Sequence, residues 1–240
     1  MKEKIYCLPY AGGSANVFFD WIKEYEEFAE LNLVEYAGRG RRFGEDYFKT
    51  IEEASADLCA QIKENGDKDF ILFGYSMGCI IALETAFQLK KIGIKPKAII
   101  VAATRPPHLM YRDKILDTMT KDELMEETAS WGQMDDEIMK NEELYEIVSD
   151  IMYADVQMFS KYKRDYQDEK IDIPIFAMSG NDDFEAPAED MKEWSLYTEN
   201  SFEFCSFSGG HFFAFDDCRK VKEQVKFFVE NNYKIKELNT

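Results

Sequence analysis

Short apolar runs alternate with longer stretches of helical periodicity along most of the chain. The apolar runs predict strands at residues 5–8, 32–36, 70–74, 98–102, 173–178 and 202–207. Between them, apolar positions at helical spacing predict helices over 50–65, 77–92, 188–197 and 217–231. Several runs are apolar throughout, as expected of strands that are covered on both faces. The pattern predicts an α/β protein whose mostly parallel sheet is flanked by helices.

One long segment departs from this alternation. Residues 114–170 contain no run typical of a strand, and apolar positions recur at helical spacing over about 135–165. Thr120, followed three residues later by Glu123, predicts the start of a shorter helix before it. An insertion between two late strands lies over the carboxyl ends of an α/β sheet, where ligands bind. We therefore expect one α/β domain over 1–240 with a helical lid insertion at 114–170.

Composition and charge exclude several classes of protein. The formal net charge of −18 disfavours nucleic-acid binding, and residues 110–170 alone carry 17 acidic and 8 basic side chains. No apolar stretch approaches the roughly 20 residues of a membrane span, and the charged N-terminus lacks the apolar core of a signal peptide. Five scattered cysteines without C-x-x-C spacing favour reduced thiols over disulfides or a metal site. We expect a cytoplasmic monomer without metal, membrane or nucleic-acid partners.

The apolar run at 70–73 leads directly into the segment 74–78, GYSMG, which has the G-x-S-x-G pattern of a nucleophile elbow. A helical pattern without glycine or proline follows it. A strand, this pattern and a helix together place the Ser76 hydroxyl at the end of a sheet and at the N-terminus of a helix, where negative charge is favoured. The alternative is a surface turn that contains a serine. We interpret Ser76 as a candidate nucleophile.

A serine nucleophile needs a base and an acid that orients the base. Of the two histidines, His211 follows two glycines in the loop after the last predicted strand, and His108 is expected to be a structural hydrogen-bonding residue. Asp182 and Asp183 both follow the preceding predicted strand, and either can supply the acid. The order serine, aspartate, histidine is that of α/β-hydrolases, and we predict that fold.

Two backbone N–H groups near the serine would stabilise an oxyanion. One is expected from Met77, the residue after the nucleophile. The other is expected from Ala11, in the loop after the first predicted strand. Gly12 beside it lets the backbone approach a substrate oxygen closely, so it is a candidate substrate-binding residue.

Five short segments stand out in chain order: LPYAGGSA at 8–15, YAGRGRR at 36–42, GYSMG at 74–78, RPPH at 105–108 and GGHFF at 209–213. Together they resemble the type II thioesterases that accompany nonribosomal peptide and polyketide synthases. The resemblance extends from residue 5 to about residue 230. The chain departs from the family at Tyr75, which is usually histidine, at Cys79, which is often alanine, and at Ala37, which is usually proline.

The resemblance implies hydrolysis of acyl thioesters on the phosphopantetheine arm of acyl or peptidyl carrier proteins, with no cofactor besides that arm. The family's acid lies three residues after a glycine, which favours Asp183 over Asp182. Arg39 and Arg105 are candidates to meet the pantetheine phosphate or an acidic carrier, with a buried salt bridge as the alternative for Arg39. A general acyl-CoA thioesterase, a small esterase, an acyl transferase and a non-catalytic carrier-docking module are the alternative functions.

Overall fold

Six strands form one parallel sheet in the part of the chain that the computed structural model describes, residues 2–110, 118–129, 138 and 140–237. They are β1 (Glu3–Leu8), β2 (Ala29–Leu33), β3 (Ile71–Tyr75), β4 (Ala98–Ala102), β5 (Ile175–Gly180) and β6 (Phe202–Phe207). Their order in the sheet is β2-β1-β3-β4-β5-β6, and every neighbouring pair is parallel. All six carboxyl ends therefore point to one edge of the sheet, and the predicted mostly parallel sheet is confirmed.

Helices connect these strands. They are α1 (Phe19–Tyr25), α2 (Ile51–Asn65), α3 (Met77–Lys91), α4 (Lys121–Ala129), α5 (Glu142–Ser160), α6 (Ala188–Lys192), α7 (Phe213–Asp216) and α8 (Cys218–Glu237). Local capping explains their ends: Thr50 accepts a hydrogen bond from the Glu53 N–H at the start of α2, and Gly66 ends that helix with φ 70°. The predicted helix at 188–197 divides, since a 3₁₀ turn (Glu193–Tyr197) follows α6.

Each face of the sheet carries its own apolar core. Alternate strand residues point to opposite faces, so Leu72 joins one core and Phe73 the other. The first core lies under α2 and α3, and α3 is buried almost along its whole length. The second lies under α1 and α8, with Trp21 of α1 among its buried side chains. This burial fixes both helix layers on the sheet and leaves the strand ends to carry polar groups.

One predicted strand was misplaced. The pattern indicated a strand at 32–36, but β2 ends at Leu33. Val34 and Tyr36 are buried in the first core beyond the end of the strand, and the Val34 N–H still donates to the Cys7 carbonyl oxygen of β1 at 3.0 Å. Their apolar signal therefore came from burial of the segment that follows the strand. The short helix α1 was not predicted.

The segment between β4 and β5 contains α4 and α5, which pack on each other. Their shared cluster consists of Leu124, Met125, Met152 and Val156, and we call it the lid cluster. Thr120 and Glu123 form the predicted capping interaction at the start of α4, since each accepts a hydrogen bond from the backbone N–H of the other. Residues 111–117, 130–137 and 139 lie outside the described residues, and with them the start of the helix predicted from about 135.

Candidate active site

Ser76 occupies a sharp turn between β3 and α3. Its φ of 50° and ψ of −119° are strained for a residue with a side chain, a conformation that costs on the order of 1–3 kcal/mol. The Ser76 N–H donates to the Ala102 carbonyl oxygen at 2.8 Å, which anchors the turn to β4. A side chain on Gly74 would collide with the backbone of Cys79, and one on Gly78 with the Leu8 carbonyl oxygen. The two glycines of the G-x-S-x-G pattern are thus required by close backbone approach.

His211 and Asp183 continue from the serine in a hydrogen-bonded series. The His211 Nε2 atom lies 3.3 Å from Ser76 Oγ, and Nδ1 lies 3.2 and 3.1 Å from the two carboxylate oxygens of Asp183. Asp183 is only 4% exposed, and its Oδ1 also accepts hydrogen bonds from the N–H groups of Glu185 and Ala186. The neighbouring Asp182 is exposed. The structure therefore brings Ser76, His211 and Asp183 together and leaves Asp182 outside the series.

Tyr75 holds the loop that carries His211. The Tyr75 hydroxyl donates to the His211 carbonyl oxygen at 2.5 Å, and its ring stacks on Phe212 with an interplanar angle of 11°. Burial raises the pKa of Tyr75 well above its usual value, so the phenol stays protonated and remains a donor. Sequence reasoning noted Tyr75 only as a departure from the family. Its position inside the elbow was the available signal, since that element adjoins the histidine loop.

The loop after β1 lies beside the start of α3. Strands β1 and β3 are neighbours with Leu8 opposite Gly74, so the loops that follow leave the sheet side by side. The backbone of Gly78 packs against the carbonyl oxygens of Leu8 and Pro9. The Met77 N–H belongs to the first turn of α3, where N–H groups have no acceptor within the helix. This geometry puts the two segments predicted to supply oxyanion donors, Met77 and the loop of Ala11, in contact.

The Gly12 N–H is engaged within the protein. It donates to a carboxylate oxygen of Asp155 at 2.8 Å. Arg39 binds the same carboxylate in bidentate fashion at 2.5 Å through both terminal nitrogens. Arg39 and Asp155 are each 3% exposed. For Arg39, predicted to bind substrate or to form a buried salt bridge, the structure places the guanidinium in the buried salt bridge. Sequence reasoning missed Asp155, which lies 116 residues away and in an ordinary helical pattern.

The remaining predicted residues brace neighbouring loops. Arg105 forms an ion pair with Asp190 at 2.8 Å and donates to the carbonyl oxygen of Phe184, the residue after Asp183. Its guanidinium therefore supports the acid loop. His108 contacts the Tyr197 hydroxyl at 3.2 Å and Glu193 at 2.8 Å, which agrees with the structural role predicted for it.

The arrangement fits acyl transfer through a serine. A hydroxyl, an imidazole and a buried carboxylate in series are the groups that such chemistry needs, with backbone donors beside them. Within the described residues no cluster of three or more His, Cys, Asp or Glu side chains could hold a metal ion. None of the helices in that part of the chain is long and apolar enough to cross a membrane. All five cysteines are free thiols.

Comparison with known proteins agrees with this chemistry. A family model described as a thioesterase domain matches residues 3–228. The chain is similar to the thioesterase PikA5 of Streptomyces venezuelae, with 28% identity over 226 residues that cover 92% of this chain and 79% of that protein. Among solved structures, ClbQ from the colibactin NRPS/PKS pathway is 27% identical with a TM-score of 0.90, covering 98% of this chain and 100% of that one. YbtT, a type II thioesterase from the yersiniabactin NRPS/PKS pathway, is 25% identical with a TM-score of 0.85. The match covers 93% of this chain and 91% of YbtT. These likenesses confirm the predicted α/β-hydrolase fold and the resemblance to type II thioesterases.

Proposed function

The chain belongs to the thioesterase domain family, and we propose that it is a serine hydrolase that releases acyl groups from the phosphopantetheine arm of carrier proteins. The observation that carries the proposal is the series of contacts from Ser76 Oγ through His211 to Asp183, at 3.3 and 3.1 Å. The similar proteins ClbQ and YbtT come from NRPS/PKS pathways. The resemblance to type II thioesterases implies that the substrates are acyl groups held as thioesters on carrier proteins. We therefore assign the chain an editing role in nonribosomal peptide or polyketide biosynthesis.

In the first half of the proposed reaction, Ser76 Oγ attacks the thioester carbonyl carbon. His211 Nε2 takes the hydroxyl proton, while Asp183 holds Nδ1–H and stabilises the imidazolium that forms. The N–H groups of Met77 and Ala11 stabilise the oxyanion of the tetrahedral intermediate. When the intermediate collapses, the carbon–sulfur bond breaks and His211 returns its proton to the sulfur. The products are the free pantetheine thiol and an acyl ester on Ser76.

The second half repeats these roles with water. His211 accepts a proton from the water that attacks the acyl ester, and the same N–H groups stabilise the second oxyanion. Collapse restores the Ser76 hydroxyl and releases a carboxylic acid. Every proton in both halves is moved by His211, so the proposed reaction needs no metal or organic cofactor. The phosphopantetheine enters as part of the substrate.

A single-turnover measurement tests the proposal. Release of a short acyl group from a phosphopantetheinylated carrier protein is followed beside release from the matching acyl-CoA. We expect a clear preference for the carrier-bound thioester. Equal or faster release from acyl-CoA would instead assign the chain to general acyl-thioester hydrolysis with the same catalytic residues.

Replacing the proposed nucleophile tests the mechanism independently of the carrier. We expect Ser76→Ala to lower kcat by about 10⁴-fold or more with the fold unchanged, because it removes the atom that becomes acylated. Ser206→Ala, at an exposed serine outside the site, is the matched control. Near-normal turnover by Ser76→Ala would overturn the mechanism.

The same proposal includes a cytoplasmic monomer. A net charge of −18 opposes self-association, and five free thiols suit a reducing compartment. Light scattering of the purified protein tests the oligomeric state, and fractionation of the producing cells tests the compartment.

A further inference from the structure

The buried carboxylate of Asp155 lies on α5, in the lid insertion, yet it holds the loop of Ala11. It accepts a hydrogen bond from the Gly12 N–H at 2.8 Å. It also accepts two from Arg39 at 2.5 Å, and Arg39 in turn donates to the Gly13 carbonyl oxygen at 3.1 Å. One carboxylate and one guanidinium thus bind both the Gly12 and the Gly13 peptide groups. Charged partners make such hydrogen bonds short and strong.

Apolar contacts tie the same loop to the same helix. A Cβ on Gly12 would lie 2.5 Å from the Met152 terminal methyl carbon, and Met152 precedes Asp155 by about one helical turn. Gly12 also has a φ of 78°, a conformation that suits only glycine readily. Ala11 packs against the lid cluster. The loop therefore lies directly on the face of α5 that presents Asp155.

The other side of the loop is fixed by Tyr36. Its hydroxyl donates to the Pro9 carbonyl oxygen at 3.1 Å, and the Arg39 guanidinium lies 5.3 Å from the centre of its ring. Burial disfavours the Arg39 charge and is the largest single influence on its pKa. The attraction and hydrogen bonds of Asp155, together with the nearby Glu35, outweigh it, so the pKa of Arg39 is raised. Arg39 therefore stays charged. Hydrogen bonds hold the Pro9 carbonyl before Ala11 and the Gly12 N–H after it.

We propose that Asp155 is a positioning residue for the oxyanion hole, which it shapes by fixing the loop whose Ala11 N–H is the proposed second donor. This inference rests on the proposed function, because it assigns Asp155 to the tetrahedral step of that reaction. Oxyanion donors act over a narrow range of about 2.7–3.1 Å, so a small shift of this loop weakens the donor. The lid helix and the oxyanion hole then form one unit, and the placement of α5 sets the catalytic competence of the site.

The test separates positioning from simple stabilisation. Asp155→Asn keeps the shape of the side chain and removes the charge that binds Arg39. We expect kcat on a small acyl thioester to fall on the order of 10- to 100-fold with KM within about threefold. A boronic acid that forms a tetrahedral adduct on Ser76 should lose affinity by the same factor as kcat. A thioether analogue of the substrate, which forms no oxyanion, should keep its affinity.

A second variant covers the case in which Asp155→Asn fails to fold. The double variant Arg39→Met with Asp155→Leu removes both buried charges, which is often tolerated where removing one is not. It also leaves the Gly12 N–H without its carboxylate. We expect the same loss of kcat and of boronic acid affinity in this variant.

The matched control is Glu84→Gln, at the other buried carboxylate that anchors the lid insertion. Glu84 is also 3% exposed, and it binds Tyr162 at 2.9 Å and Arg164 at 2.7 Å, on the far side of the insertion. We expect it to lower the melting temperature with kcat and boronic acid affinity within about threefold of the parent.

Two outcomes would overturn the inference. One is a parent-like kcat in folded Asp155→Asn, and the other is an equal loss of kcat in Asp155→Asn and Glu84→Gln. Failure of the proposed function is seen separately, as absence of thioester hydrolysis by the parent or full turnover by Ser76→Ala.

Discussion

The strand-end edge of the sheet and the helical insertion between β4 and β5, which we predict to be a lid, are held in place by different forces. At the sheet edge, Ser76, Asp183 and His211 follow three parallel strands, and backbone hydrogen bonds of those strands set their spacing. In the described part of the insertion, α4 and α5 share only the four buried residues of the lid cluster. The end of α5 also joins the first core of the sheet through the buried Met158, and Tyr162 just beyond the helix is buried in the same core. Long-range polar contacts add to this apolar packing.

Two buried carboxylates, Asp155 and Glu84, join the insertion to the remainder of the molecule, and we call them the lid anchors. Asp155 of α5 binds Arg39 beside the loop after β1. On the other side, Glu84 of α3 binds Tyr162 and Arg164, which follow α5, and the Arg164 guanidinium lies 4.0 Å from the centre of the Phe87 ring. Burying a charge is costly, so each carboxylate depends on its partner.

The difference predicts how each region responds to substitution. A change at the sheet edge removes a chemical group while the strands keep the fold. A change at a lid anchor leaves the chemical groups and alters how the insertion sits on the protein. Changes at the sheet edge should therefore lower activity, and changes in the insertion should lower stability, except at Asp155, whose proposed role extends to the oxyanion hole.

The largest effect is expected at Asp183, and its neighbour Asp182 serves as the control. Asp183→Asn should lower kcat by about 10⁴-fold, because an amide cannot stabilise the imidazolium and favours the wrong tautomer of His211. Asp182→Asn, at the exposed neighbour, should stay within about twofold of the parent. Steady-state hydrolysis of an acyl thioester measures both.

The reverse pattern of activity in these two variants would contradict the assignment of Asp183 as the acid. If Asp182→Asn lost activity and Asp183→Asn kept it, the acid would be the residue that the structure leaves exposed. If both variants kept the melting temperature of the parent, the loss of kcat would come from the missing carboxylate and not from partial unfolding.

The sequence predicted most of the sheet edge but left this acid open. Ser76 and His211 lie in short motifs whose glycines mark tight backbone approach, and these are visible without a structure. Asp182 and Asp183 are adjacent, and only the direction of the chain after β5 decides which of them is buried against His211. Periodicity carries no information about that direction, so the resemblance to a family was needed to favour one.

The insertion shows the limit of sequence reasoning more strongly. Its helical character followed from the spacing of apolar residues, but its two anchors did not. Arg39 and Asp155 are 116 residues apart, and Glu84 is 80 residues from Arg164. A charged residue in a helical pattern predicts a solvated face, and nothing local marks the one that becomes buried.

A loss of stability, intermediate in size among these predictions, is expected from a substitution at the lid anchor Glu84. Glu84→Gln should lower the free energy of unfolding by about 1–3 kcal/mol, less than the cost of breaking a fully buried pair because the Arg164 side chain is 18% exposed. Its kcat should change by less than about threefold. Urea denaturation followed by circular dichroism measures the stability, and Lys95→Ala, in an exposed pair with Asp172, is the control.

A different pattern would remove the distinction between the regions. If Glu84→Gln lost kcat as much as Asp155→Asn, the loss would follow from disturbing the insertion at either carboxylate. Asp155 would then have no specific role in positioning the oxyanion hole.

The smallest effect is expected from deleting one oxygen atom in each region. Tyr75→Phe keeps the ring that stacks on Phe212 and removes the hydroxyl that donates to the His211 carbonyl oxygen. We expect about 1 kcal/mol lower stability and a kcat lower by about two- to fivefold, because the histidine loop loses one hydrogen bond.

Tyr162→Phe removes a comparable hydroxyl from the lid anchor at Glu84, and should lower stability by a similar amount with kcat unchanged. Parallel thermal unfolding and hydrolysis assays compare the two. An unchanged kcat in Tyr75→Phe would mean that the packing of Phe212 and Phe213 alone positions His211, and that the tyrosine in place of the family's usual histidine contributes only to stability.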